Sequence, residues 1–248
     1  MMRWQCHDVF HRMPEGATAG GIAVVIDVLR ASTTMITALA NGAVRVIPVA
    51  DVDEARRMVV GLEPPVLLGG ERGGVRIPGF DLGNSPLEYV PARVAGRTLV
   101  ITTTNGTAAL HASHAAREIL VGAIVNRSAV AAAIRGLAAP GDAVHLVCAG
   151  TDGRVSAEDV LAAGAILDAA AVDDPGADLD EAARRALALF RATAAASDVA
   201  GALVAEFRRA PGGSNLVELG MEVDLPVAAA IDALAVVPRL DRASGSLI

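Results

Sequence analysis

Short β-branched runs alternate with alanine-rich stretches along most of the chain, and this alternation limits the possible fold more than any other feature. Residues 22–27, 44–49, 65–69, 97–102, 119–123 and 143–148 read as strands. Residues 32–41, 107–116, 128–137 and 157–171 read as helices between or after them, and Asp51 with Glu54 forms an acidic capping box at the start of another. A strand joined to the next by a helix runs parallel to it, because the crossover carries the chain back to the starting edge. The expected fold is therefore α/β, a three-layer α/β/α arrangement with a largely parallel or mixed sheet. Two further helices are expected near 179–193 and 198–209, after a turn at 173–178, while 70–86 reads as a long Gly/Pro loop. No linker is long enough to separate independent domains. Residues 1–248 are expected to form one compact unit, either undivided or as two intimately packed lobes of about 1–123 and 124–248.

A chain of 248 residues can bury a sizeable core. Its apolar runs stop short of a membrane span, and its first eight residues lack the apolar stretch of a signal peptide, so a soluble cytoplasmic protein is expected. The formal charge of −7 and the 2% aromatic content argue against nucleic acid as a partner, which needs a basic face and stacking platforms. A homo-oligomer is compatible with this composition. Cys6 and Cys148 are too few for a disulfide framework and wrongly spaced for a zinc site. All 21 basic residues are arginine. That follows from a composition rich in Ala, Gly and Val, yet it excludes Schiff-base, P-loop and general-base lysines. Anions must be held by arginine, backbone N–H groups, hydroxyls or a metal.

Four polar, glycine-bearing segments stand out against this background: 27–34, 70–86, 102–107 and 148–159. Three of them follow an apolar run that reads as a buried strand. A strand that ends in small hydroxylated residues and opens a helix presents free N–H groups to an anion. Asp27 ends the strand at 22–27, and a buried carboxylate there needs a cation, a metal or hydrogen bonds. With Arg30, Ser32 and Thr33 it reads either as a metal or acid–base carboxylate beside an anion clamp, or as a salt-bridged helix cap; position alone leaves these level. Thr102-Thr-Thr-Asn-Gly-Thr107 supplies a tight turn at Asn105-Gly106 with hydroxyls on either side, suited to phosphate oxygens. In 70–86, Arg72 and Arg76 can clamp a carboxylate or sulfonate, Glu71 can ligate a hard cation, and Phe80 pins the loop to the body. Asp53 with Arg57, and Asp180-Glu181 with Arg184-Arg185, read as surface ion pairs without a chemical role.

Cys148 and Arg154 stand in a C-x5-R relation between a strand and a helix, the spacing of cysteine-dependent phosphatases. Asp152 inside the loop would repel both thiolate and phosphate, and Val155 displaces the expected hydroxyl to Ser156. A buried, inert cysteine is the preferred expectation, with the thiolate route kept as a minor alternative. Glu158-Asp159 opens the next helix, where carboxylates gain from the dipole and can also share Mg²⁺ with substrate phosphate. A haloacid-dehalogenase mechanism is excluded, because it needs an aspartate two residues after Asp27 and Leu29 stands there.

Taken in order, Val25-Ile-Asp-Val-Leu-Arg-Ala-Ser-Thr-Thr34, Gly70-Glu-Arg72, Gly79-Phe-Asp-Leu-Gly-Asn-Ser-Pro86, Thr103-Thr-Asn-Gly-Thr107 and Cys148-Ala-Gly150 with Glu158-Asp159 resemble the 2-phosphosulfolactate phosphatases, the ComB family. The resemblance covers about 22–165. It implies a Mg²⁺-dependent acid phosphatase of α/β fold acting on (R)-2-phospho-3-sulfolactate, a small substrate with phosphate, carboxylate and sulfonate groups. The alternatives are another phosphate ester, or binding of a small polyanion without turnover. On this resemblance Asp27, Arg30, Glu71 and Asn105 are expected to be catalytic. Ser32, Thr33, Arg72, Arg76, Asn84, Ser85, Thr104, Gly106 and Gly150 are expected to bind substrate, and Asp27 with Glu158 or Asp159 to hold the metal.

Overall fold

The computed structural model of the protein describes residues 1–171 and 176–248. The chain begins with β1 (Arg3–His7), β2 (Ile22–Ile26), α1 (Ala31–Ala40), β3 (Arg45–Pro48), α2 (Val52–Val60), β4 (Val66–Arg72) and β5 (Val75–Arg76). There follow α3 (Pro91–Val94), β6 (Thr98–Thr102), α4 (Gly106–Ala112), β7 (Glu118–Gly122), α5 (Arg127–Leu137), β8 (Ala143–Cys148) and α6 (Ala157–Ala171). The last part comprises β9 (Asp178–Leu179), α7 (Glu181–Ala194), α8 (Val199–Arg209), α9 (Pro211–Glu218), α10 (Asp224–Ala228), β10 (Leu240–Asp241) and β11 (Ser246–Leu247). The turn expected at 173–178 begins outside the described residues.

The strands form two sheets. One has the order β7-β2-β8-β1-β9 and is parallel throughout. β2 lies in its middle and is buried along its whole length, which is why its sequence, Ile-Ala-Val-Val-Ile, is apolar at every position rather than at alternate ones. The other sheet has the order β10-β11-β3-β6-β4-β5, parallel where β3, β6 and β4 meet and antiparallel at both edges. Sequence patterning thus identified the α/β class and the parallel pairing.

Three apolar clusters define the layers. Trp4, Ile22, Ile26 and Leu146 on one face of the first sheet pack against α5, α6, α7 and the helices after them through Ile134, Ile166, Phe190 and Phe207. The opposite face, with Val25 and Val121, meets Met35 and Ile36 of α1, Leu110 of α4, and Val46, Leu99 and Ile101 of the second sheet. Ile47, Val100, Ile77 and Phe80 close the outer side of the second sheet under Ala55 of α2. Each sheet therefore lies in an α/β/α sandwich, and the two sandwiches share the layer that contains α1 and α4. Each large side chain buried in these clusters stabilises the fold by about 1.5–3 kcal/mol. The sheets draw on interleaved segments, so the sheet boundary does not follow a sequence division near 123.

Local signals explain most elements. Asp51 accepts the Glu54 N–H at 2.7 Å and Glu54 returns a carboxylate oxygen to the Ala50 N–H at 2.8 Å, one residue before the position a capping box uses. The 70–86 segment is more regular than its composition suggests: β4 runs on to Arg72 and turns back as β5. Its remainder is held down by Phe80, which is buried, by the Leu68 N–H donating to Asp81, and by the Tyr89 hydroxyl donating to Gly83. The surface pair of α2 joins Asp53 to Arg56 rather than Arg57, while Glu181 pairs with Arg185 as expected. β1 went unrecognised in the sequence because its buried residues, Trp4 and Cys6, alternate with polar ones over only five positions.

α6 and α7 cross closely at Gly164 of α6, where a methyl group would lie 2.1 Å from the Ala186 carbonyl oxygen of α7. Gly164→Ala is expected to destabilise the protein by about 1–3 kcal/mol through overpacking. Urea denaturation should show a lower midpoint with an unchanged slope, and an unchanged midpoint would refute the tight crossing.

Candidate functional site

The C-terminal ends of β2, β4, β6 and β8 open on a cleft of about 610 Å³. Ligand sites in α/β sheets lie outside these ends, where loops diverge and backbone groups are free. The opposite wall is α9, which contributes Pro211, Gly212, Ser214 and Asn215. Here the chain brings together residues nearly two hundred positions apart.

The floor is acidic. Asp27 follows β2 and accepts the Ala31 N–H at 3.1 Å, capping α1, while its own N–H donates to Ser32 Oγ at 2.9 Å. Gly106 stands against its other oxygen: a Cβ there would come 2.7 Å from Asp27 Oδ2, so the start of α4 can approach only as glycine. Glu71 accepts the Thr104 N–H at 2.8 Å and the Gly74 N–H at 2.7 Å, tying the β4–β5 turn to the 102–107 segment. Asp159 accepts the Val28 N–H at 2.8 Å and the Gly150 N–H at 2.9 Å, joining the ends of β2 and β8. Glu158 is buried under Gly212, and its Oε2 has no hydrogen-bond partner among the described residues.

Burial and mutual repulsion raise the proton affinity of this group. Desolvation first, then the charge of Asp159, pushes Asp27 up to about 8. Desolvation and Glu158 push Asp159 to about 8, and desolvation with Asp27 pushes Glu158 to about 7.

Arg30 is the fixed cation of the cleft. Its guanidinium donates to Asp224 at 2.8 Å and to the Gly74 carbonyl at 2.7 Å, and it is buried. Asp224, itself 1% exposed, accepts the Ser85 hydroxyl on its second oxygen at 2.6 Å. One buried carboxylate thus locks an arginine from the first motif and a serine from the second.

Of the expected site residues, Asp27, Arg30, Glu71, Asn84, Thr104 and Asn105 line the cleft. Asn84 Oδ1 is buried without a partner among the described residues, leaving its amide available to a ligand. The others lie elsewhere. Ser32 and Thr33 are fully buried and spend their hydroxyls on Val25 and Val28 carbonyls. Arg72 donates to the Glu71 carbonyl and to Thr102 Oγ1, and Arg76 is exposed on β5. Neither arginine reaches the cleft wall, nor do Ser85, Gly106, Gly150, Glu158 or Asp159, which stand behind it.

The cysteine alternative fails on position. Cys148 is fully buried, away from the cleft wall, and its thiol is raised well above the ordinary range by hydrogen bonding to Cys6 and by burial. A thiol held protonated cannot attack phosphorus. Arg154 does line the cleft, without that partner.

Sequence reasoning missed Asp224, Arg209 and the α9 wall. The available signal was Pro211-Gly-Gly-Ser-Asn215, in which Pro opens a helix at its first turn. The two glycines serve contact: a Cβ on Gly212 would meet Glu158 Oε1 at 2.3 Å, and one on Gly213 would meet the Phe207 carbonyl at 1.9 Å.

Rigid carboxylates and one anchored guanidinium, set at strand ends in an α/β fold, are the equipment of an enzyme that handles phosphate esters. Comparison with known sequences makes this class specific. Residues 8–243 match the 2-phosphosulpholactate phosphatase family, and the chain belongs to it. It is 44% identical over 222 residues to a probable 2-phosphosulfolactate phosphatase of Deinococcus radiodurans, covering 88% of this chain and 87% of that one. It is 42% identical over 228 residues to one of Symbiobacterium thermophilum, with 91% and 93% covered. A third, of Gloeobacter violaceus, is 39% identical over 244 residues, with 97% of both chains covered. The enzyme is a phosphoric monoester hydrolase. Among the described residues, no helix is long and apolar enough to cross a membrane.

The raised carboxyl groups predict a pH effect on stability. Asp27, Glu158 and Asp159 hold protons more tightly folded than unfolded, so the folded chain binds the extra protons. Their stabilising contribution is complete below about pH 4 and is lost as pH rises through about 7 to 8. In EDTA, the denaturation midpoint should fall between about pH 5 and pH 8, and Asp27→Asn should flatten the decline. A midpoint that rises over this range would contradict the acidic floor.

Proposed function

We propose that the protein is a Mg²⁺-dependent acid phosphatase that hydrolyses (R)-2-phospho-3-sulfolactate, or a closely related phosphorylated 2-hydroxy acid, to the free hydroxy acid and phosphate. The observation that carries this proposal is the acidic floor: buried acids this close together favour protonation, and a bound cation would let them ionise beside a phosphate. Among the described residues no three His, Cys, Asp or Glu side chains already converge as a metal cage. Mg²⁺ rarely needs one: it takes one or two carboxylates and completes its shell with water and substrate phosphate.

Asp27 and Glu158 suit that role. Each has a carboxylate oxygen without a hydrogen-bond partner among the described residues, Oδ2 in one and Oε2 in the other. Asp159 is the less suitable ligand, since both its oxygens already accept backbone N–H groups. When bound, the ion supplies Lewis-acid polarisation of the phosphoryl group and offsets the floor's charge.

The chain's own residues do the rest. Arg30 commits N–H groups to Asp224, Met221 Sδ and Gly74, and keeps the rest of its five donors for equatorial phosphate oxygens. Because those partners hold it beforehand, it stabilises developing charge without reorganising. Thr104 and Asn105, fixed through Glu71, border the phosphate position, and Asn84 Oδ1 offers an acceptor to a donor group such as a water. Glu71 acts as a positioning residue, because its oxygens are occupied by the Thr104 and Gly74 N–H groups. The overall acidity of the chain supports a small-molecule substrate rather than nucleic acid, and the two free cysteines support a cytoplasmic location.

Phosphate release from 2-phospho-3-sulfolactate, 2-phospholactate and unrelated esters, with Mg²⁺ or with EDTA, tests the proposal. Turnover should require Mg²⁺ and favour the 2-hydroxy acid esters; full activity in EDTA would overturn the metal assignment. Asp27→Asn and Glu158→Gln should each lower kcat by at least about 100-fold. Cys148→Ser should keep most of the activity, and its complete loss would revive the thiolate route.

A further inference from the structure

We propose that Arg154 is the specificity-determining residue for the substrate's sulfonate, an inference that rests on the function proposed above. The arginines of the cleft differ in what they already hold. Arg30 is paired with Asp224 at 2.8 Å, and Arg209 is paired with Glu206 at 2.6 Å. Among the described residues, Arg154 has neither an ion pair nor a side-chain hydrogen bond, although it lines the same cleft. Arg72 and Arg76, the sequence candidates for this role, do not line it.

Arg154 is nonetheless held in place. Thr151 and Arg154 exchange backbone hydrogen bonds of 3.0 and 2.9 Å across Asp152 and Gly153. Both central residues have positive φ, 50° and 72°, which makes this a two-residue turn of the kind that closes a tight hairpin. Gly150, just before it, is fastened to Asp159 at 2.9 Å, and Thr151 Oγ1 lies 2.8 Å from Ser156 Oγ. The backbone that carries Arg154 is therefore tied directly to the acidic floor.

Position selects the anion. Asp27, Glu71 and Arg30 are buried at the floor, where the phosphate must sit, whereas Arg154 is exposed at the mouth. In 2-phospho-3-sulfolactate the carboxylate is on the carbon that bears the phosphate, and the sulfonate is one carbon further out. The outermost anion meets the outermost arginine. A guanidinium fork matches two sulfonate oxygens at once, which a point charge would not. Asp152 on the same turn and Glu218 on α9 also line the cleft, and neither forms an ion pair with Arg154 among the described residues.

The test compares kcat/KM for 2-phospho-3-sulfolactate and 2-phospholactate, which differ only in the sulfonate, in wild type, Arg154→Ala and Arg154→Lys. The ratio of the two constants should fall about 10- to 100-fold in Arg154→Ala, the usual loss for a charge-assisted hydrogen bond. Arg154→Lys should recover part of it. Calorimetric binding of the product 3-sulfolactate should weaken by the same factor. An unchanged ratio in an Arg154→Ala protein with wild-type denaturation midpoint would overturn the inference, as would failure of the wild type to bind 3-sulfolactate. Binding of 3-sulfolactate through Arg154 without hydrolysis of its phosphate ester would instead refute the proposed reaction and leave the subsite standing.

Discussion

The site depends on a carboxylate that never faces the cleft. Asp159 receives one N–H from Val28, just past β2, and another from Gly150, just past β8. The backbone link between these neighbouring strands ends with the Ala149 N–H donating to the Ile26 carbonyl at 2.7 Å, and the acid carries the connection beyond it. Holding it costs free energy, because burial favours its protonated form. The return is geometric: Asp27 precedes one of these N–H groups and the Arg154 turn follows the other, so a single side chain fixes two parts of the site. Asp224 does the same on the far side, joining Arg30 to Ser85.

This arrangement explains what could and could not be read in the sequence. β2, β6 and β8 were legible because a central parallel strand is apolar on both faces, a signal that no turn or surface helix produces. The aspartate that ends β2 and the Thr-Asn-Gly turn were legible because polar residues at a buried strand end must be satisfied by something. The roles within each motif were less so. Ser32, Thr33 and Ser85 carry the hydroxyls expected of an anion site, yet they turn inward to carbonyls and to Asp224. A hydroxyl beside a helix start looks the same in sequence whether it meets a ligand or the backbone. Asp224 and the α9 wall were invisible for a different reason: they reach the cleft through tertiary packing, across a separation that local pattern does not encode.

Charge follows the same division. The chain is acidic overall, and its most buried acids are concentrated where an anionic ester has to bind. The proposed cation and the well-held arginines would together invert the local field. Arg30 is well held by Asp224, which also limits how much of its charge reaches the ligand. The cleft therefore gains precision from each ion pair and gives up field strength in exchange.

The winding of the chain has a consequence for how the enzyme comes into being. One wall of the cleft is laid down by residues 27–105, and the facing wall by α9, which begins at Pro211. The last strand, β11, then returns to pair with β3. The floor is itself completed only at Glu158 and Asp159, so an N-terminal fragment that stops before α9 has a floor and no facing wall. Competence to bind is a property of the finished chain, acquired late and all at once.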